Sequence, residues 1–147
     1  EKSRWRICET LMLLSPNFYH DQESSKKAIS QIQEFLDDFP NSEYSKDADK
    51  LINELRTRLA EKNMETGKLY VKLKAYDSAI VSYKIVVNEF YDTKFFNDAN
   101  MEIIRCLALQ KKSDEAKQYL TELEINEKSV VTDSFKEQAL SVIKDNS

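Results

Sequence analysis

From Ser25 to Phe39 the apolar residues fall at Ala28, Ile29, Ile32, Phe35, Leu36 and Phe39, with polar residues between them. These i, i+3, i+4 and i+7 spacings put one apolar stripe on a helix, and they predict a helix over residues 25–39. The same period predicts helices over 3–14, 77–90, 94–110, 114–125 and 129–145. In the first of these, Trp5, Cys8, Leu11 and Met12 share a side. From Tyr44 to Ala75 there is no proline, and Tyr44, Ala48, Leu51, Ile52, Leu55, Leu59, Met64, Leu69, Tyr70 and Leu73 keep helical spacing. A single helix over 44–75 is expected, about 45 Å long at 1.5 Å per residue. Gly67 lies inside it, at a cost of about 1 kcal/mol relative to alanine. That cost points to a close packing contact; the competing reading is two helices meeting near Asn63. Ala79–Val87 is the best strand candidate, but Ala79, Tyr83, Val86, Val87 and Phe90 fit the helical period.

The breaks between these helices carry their own signals. Pro16 and Asn17 end the first, with Ser24 or Ser25 as the next cap. Pro40 stops the second, because proline lacks the N–H that a helix interior needs. Asn41 or Ser42 is expected to cap the third. Composition agrees with an all-helical chain. Of 147 residues only one is glycine and two are proline, too few for the tight turns of a β protein. With 41% hydrophobic and 33% charged residues the chain can bury a core as one domain, 1–147, and stay soluble. The net charge of −4 argues against nucleic acid as a partner. No window reaches the length of apolar sequence that spans a bilayer. The opening "EKSRWRICETLMLL" has the charge of a leader, but Glu9 interrupts its short apolar run and no small-residue cleavage site follows. The chain is expected to begin inside a larger protein whose targeting segment lies upstream.

One pattern is written twice. "FLDDFPNSEYSKDA", from Phe35 to Ala48, returns 51 residues later as "VVNEFYDTKFFNDA". A further alignment joins Ala28, Ala79 and Ala116, each followed four and seven positions on by larger apolar residues: Ile32 and Phe35, Tyr83 and Val86, Leu120 and Leu123. A small residue lets two helices approach and the larger ones wedge against the neighbouring pair. Gly67, Tyr70, Ala79 and Tyr83 stand at the G-x2-Y…A-x3-F spacing of the tetratricopeptide repeat, which they resemble. Thr66 replaces the usual leucine, no tryptophan occupies the first position, and Tyr91 stands where the terminal proline is common; the first copy keeps that proline as Pro40. The third copy has Ile103 and Leu107 and no glycine. Ala79 and Ala116 are 37 residues apart, near the 34-residue period. The 14 extra residues in the longer 51-residue spacing make almost four helical turns, so a helix can lengthen there without rotating its buried stripe.

Several longer phrases resemble the YfiO (BamD) family of outer-membrane assembly lipoproteins. They are "SPNFYHDQESSKKAI", "FLDDFPNSEYSKDADKLINELRTRLAEKN", "GKLYVKLKAYDSAI" and "NEFYDTKFFNDA". The likeness covers residues 10–125 and leaves 126–147 unmatched. It implies an all-α, tetratricopeptide-like superhelix forming the C-terminal part of a larger lipoprotein. It implies a periplasmic location in a Gram-negative cell, with a lipid on an N-terminal cysteine of the complete protein. It also implies protein partners: the barrel assembly component and other lipoproteins of the machinery that inserts β-barrels. Cys8 is not the lipid-bearing cysteine, since "RWRICE" lacks the apolar lipobox.

Candidate chemistry is sparse. His20 neighbours Asp21, which could orient an imidazole, but a solvated loop histidine explains the pair as well. Asp37 and Asp38 point about 100° apart on a helix. Asp47 and Asp98 read as first-turn acids that favour a helix N-terminus. Cys8 and Cys106 lie on apolar faces as core thiols; a disulfide or metal site finds little support with no CxxC pair and one histidine. No catalytic motif occurs, so no enzyme activity, cofactor or metal is expected. The basic run Arg56, Arg58 and Lys62 is either a solvated face or a docking strip for an acidic partner, where the arginine fork binds carboxylates bidentately. Repeat spacing places Lys68, Val71, Lys72, Asp98, Met101 and Arg105 along a concave groove, and the turn Asn88–Lys94 on a protruding edge. The candidate partner-binding residues are therefore Arg56, Arg58, Lys68, Lys72, Asn88, Lys94 and Arg105. A helical scaffold of the barrel-assembly machinery is the expected function. An adaptor that captures short peptides is the rival.

Overall fold

The computed structural model describes residues 1–13, 22–127 and 131–147. Among the described residues it is all-α and tetratricopeptide-like: α1 Lys2–Leu13, α2 Gln22–Asp38, α3 Ser45–Lys72, α4 Tyr76–Glu89, α5 Phe96–Leu109, α6 Ser113–Ile125 and α7 Asp133–Asn146. The expected long helix exists as one uninterrupted run of 28 residues. Expected starts shift by a few residues. Ser25 is a buried residue inside α2 and not its cap. Ser42 sits ahead of α3 and does not cap it; its hydroxyl accepts the Tyr44 N–H at 3.1 Å within the turn. α7 begins at Asp133, because the Thr132 hydroxyl accepts the Phe135 N–H and fixes the first turn there.

The chain divides into two compact units, Glu1–Leu59 and Ala60–Ser147. The core of the first is Trp5, Cys8, Ala28, Ile32, Phe35, Ala48 and Leu55. Trp5 stacks on Tyr44 with centroids 5.4 Å apart and meets Phe35 at 5.5 Å in a tilted arrangement. Leu11, expected on the apolar side of α1, is 37% exposed. Trp5, Cys8 and the half-buried Met12 already fill that stripe, and Leu11 lies beside it.

In the second unit α5 packs against α4, α6 and α7, and eight of its fourteen residues are buried. Met101, Ile104, Ala116, Leu120, Leu123, Ala139 and Ile143 form one core cluster there. Every residue of the aligned small-large-apolar sets is buried, in both units. Gly67 explains itself: a Cβ on it would stand 2.5 Å from a ring carbon of Tyr83. The helix accepts the propensity cost so that the Tyr83 ring can lie across its backbone. Leu69 and Leu73, whose spacing fits the apolar pattern of α3, are 56% and 67% exposed. The buried stripe in this half of α3 runs instead through Ala60, Asn63, Met64 and Gly67.

The repeated turn has repeated geometry. In the first copy Phe39 N–H donates to Phe35 O, Ser42 N–H to Phe39 O, Ser45 N–H to Ser42 O, and Ala48 N–H to Tyr44 O. In the second, Phe90 donates to Val86, Thr93 to Phe90, Phe96 to Thr93 and Ala99 to Phe95. Each bond has its counterpart 51 positions on. Tyr91, standing where Pro40 stands, leaves this backbone pattern unchanged.

Candidate functional site

The 37-residue repeat places like beside like in the second unit. Asn63, Met64 and Lys68 on α3 correspond in sequence to Asn100, Met101 and Arg105 on α5. The two asparagines are buried and support the helices from inside. Asn100 donates through Nδ2 to Phe96 O at 3.0 Å and accepts from the Tyr119 hydroxyl at 2.6 Å, which ties α6 to α5. The methionines and the cations line one groove.

That groove has a volume of about 270 Å³. Met64 and Met101 line it together with Phe95 and Phe135; Lys68, Arg105, Asp98, Glu102, Asn97 and Gln138 supply its polar atoms. Of the expected groove residues, Lys68, Asp98, Met101 and Arg105 are there, and Val71 and Lys72 are not. Met64 and Lys68 occupy adjacent turns of α3 on one side, whereas Lys72 is exposed beyond it. Arg105 Nε lies 3.5 Å from Glu102 Oε1 and makes no hydrogen bond of its own. α7 contributes Phe135 and Gln138. It is held by Ala139 and Ile143 in the core, by a 2.9 Å ion pair from Lys136 to Glu124, and by Lys111 donating to Asn146 O at 2.8 Å. The family likeness leaves residues 126–147 unmatched; the i, i+4, i+8 series Phe135, Ala139, Ile143 is the sequence signal for their packed face.

The remaining candidates lie elsewhere. Arg58 pairs with Glu54 one turn back on α3, and Arg56 is half-buried. Asn88 is exposed in the last turn of α4. The Lys94 ammonium sits 5.1 Å from the centroid of Phe95, a groove residue. His20 lies outside the described residues.

Burial pushes the Cys106 thiol up to about 11, helped by the charge of Glu102. Burial also pushes the Tyr119 phenol up to about 12, and raises Tyr83 as well. All three stay protonated near neutral pH, poor nucleophiles in well-packed positions. Cys8 and Cys106 are both buried free thiols. Among the described residues no cluster of His, Cys, Asp and Glu could hold a metal ion, and no helix is long and apolar enough to cross a membrane.

A family model described as outer membrane lipoprotein, YfiO, matches residues 7–121. The chain belongs to this family. It is 28% identical over 115 residues to an outer membrane protein assembly factor BamD of Rickettsia prowazekii, covering 78% of the chain and 45% of that relative. It is 26% identical over 111 residues to the BamD of Caulobacter vibrioides, covering 76% and 36%. Against the BamD of Vibrio cholerae the figures are 30% over 95 residues, covering 58% and 39%. The chain thus spans less than half the length of these relatives. The YfiO match takes in the repeated turns, the long α3, and both cation-bearing helices of the groove; α7 lies beyond it.

Proposed function

We propose that this chain is a non-enzymatic scaffold in the assembly of outer-membrane β-barrel proteins, working at the periplasmic face of the outer membrane. The observation that carries the reading is the likeness to three relatives named as outer membrane protein assembly factors. The fold supports it. Stacked helix pairs present surface without a closed catalytic cleft, and the groove offers apolar contact, cations and carboxylates. Residues 1–147 serve as one repeat domain of a longer lipoprotein, tethered through an N-terminal lipid. The partners are proteins: the barrel-forming assembly component, companion lipoproteins, and unfolded barrel segments. Lys68 and Arg105 contact them in the groove, and Lys72, Asn88, Lys94, Arg56 and Arg58 are further contacts outside it. The scaffold needs no cofactor.

The test is affinity purification of the tagged full-length protein from solubilised outer membranes. The barrel-forming component is expected to co-purify. Charge reversal at Lys68 and Arg105 together is expected to lower its recovery about tenfold, equivalent to roughly 1.4 kcal/mol. A partner that never co-purifies with the unaltered protein overturns the scaffold reading. Recovery insensitive to the reversal removes the groove from it.

A further inference from the structure

A second groove, of about 570 Å³, lies within the first unit between α1 and α3. Its apolar surface comes from Trp5, Met12, Leu13 and Leu51. Leu13 is 82% exposed, a large apolar side chain left to solvent at the mouth. The rim carries three carboxylates, Glu9, Asp47 and Glu54, against one ammonium, Lys50. Lys50 reaches only as far as 3.8 Å from Asp47, with both side chains mostly exposed. Glu54 has Arg58 behind it on the same helix. The Tyr44 phenol, stacked on Trp5, is pushed up first by its hydrogen bond to Glu43, then by burial, then by the charges of Glu43 and Glu1, and last by Glu9 of the rim.

We propose that this groove is a docking site for a cationic amphipathic segment of a partner protein. The segment's apolar side chains cover Leu13, Met12 and Leu51, and its lysines or arginines meet Glu9, Asp47 and Glu54. Charge complementarity selects this occupant. An acidic segment meets like charge at all three carboxylates, and a neutral one covers them while Asp47 and Glu54 keep only Lys50 and Arg58 of their own helix as partners. The site shares no lining residue with the groove of the second unit, where two cations and two carboxylates balance.

The experiment titrates the protein with a short fluorescent amphipathic peptide of leucine and lysine, and with its leucine–glutamate counterpart. The lysine peptide is expected to bind, more weakly as salt rises, and the glutamate peptide to show no binding. The variant Glu9→Gln/Asp47→Asn/Glu54→Gln is expected to lose about tenfold in affinity, the sum of three partly exposed charge contacts. Because the whole chain is acidic, at −4, a control neutralises Asp114, Glu115 and Glu122 on α6, and affinity is expected to hold. Hydrogen exchange is expected to place protection on α1 and the first half of α3. Equal loss in the control variant, protection centred on α6, or equal binding of both peptides overturns the proposal. Leu13→Ser, on an exposed side chain that the fold does not need, separates docking from simple charge attraction: about a fivefold loss is expected from its apolar contact, and no loss rejects the groove.

Discussion

Two helix hairpins of the second unit solve one packing problem with opposite residues. The end of α3 meets α4 through Gly67 and Tyr83. Thirty-seven positions on, α5 meets α6 with Ile104 and Leu120 in the corresponding places. A residue without a side chain faces the largest ring in one hairpin; two aliphatic residues of middling size do the work in the other. All four are buried. The loops that join the hairpins are copies. Lys74 donates to Val71 O and Ala75 to Tyr70 O; Lys111 donates to Ala108 O and Lys112 to Leu107 O. These paired bonds close a Schellman motif, and both lysines sit at positive φ, 56° and 62°. The backbone is held constant while volume is traded across the interface, as close-packed interiors require.

The strongest way to break this comparison is to mix the two solutions. Gly67→Ile drives a branched side chain into the Tyr83 ring and is expected to cost about 3 kcal/mol or more. Tyr83→Leu leaves a cavity and is expected to cost about 2–4 kcal/mol. The double variant recreates the second hairpin's pair in the first. Urea unfolding of the full cycle is expected to give a favourable coupling of about 1–3 kcal/mol. Simple additivity would mean that the two hairpins are not equivalent.

Polar support differs too. The second hairpin has Tyr119 donating to Asn100; its counterpart near Asn63 is Ser82, whose hydroxyl lies 3.3 Å from Ser78 O. Tyr119→Phe strands a buried acceptor on Asn100 and is expected to cost about 1–3 kcal/mol. The Tyr119 and Cys106 pKa values are raised by folding, to about 12 and about 11. The folded state therefore holds protons that the unfolded chain releases first, so stability is retained below pH 9 and falls as pH rises from about 9 to 12. A stability–pH profile should lose part of that alkaline slope in Tyr119→Phe.

The loops give the smallest effect. Lys74→Gly relieves a left-handed side chain and is expected to stabilise the fold by up to about 1 kcal/mol. Lys111→Gly should gain less, because the Lys111 ammonium also donates to Asn146 O at the end of α7. Equal gains in thermal denaturation would mean that this contact contributes nothing.

Much of the architecture was legible in the sequence because period 3.6 and fixed offsets are geometric signals. The buried register through Ala28, Ala79 and Ala116, the unbroken α3 and the tight contact at Gly67 all follow from spacing and side-chain size. Errors arose where two stripes compete on one helix. Leu11 and Leu69 satisfy the period, yet they face outward because Trp5 and Cys8 in α1, and Ala60 and Gly67 in α3, already occupy the packed side; Leu73 lies past the end of α3. The groove was legible only in part. Lys68, Asp98, Met101 and Arg105 follow from the repeat offset. Phe135 and Gln138 come from α7, whose place against α5 and α6 is set by tertiary contact with Ala139 and Ile143.

The paired positions of the second unit's groove repeat. Met64 and Lys68 on α3 recur as Met101 and Arg105 on α5, so the groove presents the same thioether-and-cation couplet twice, 37 residues apart in sequence. Under the proposed function, a bound partner would meet like side chains at two places along its length.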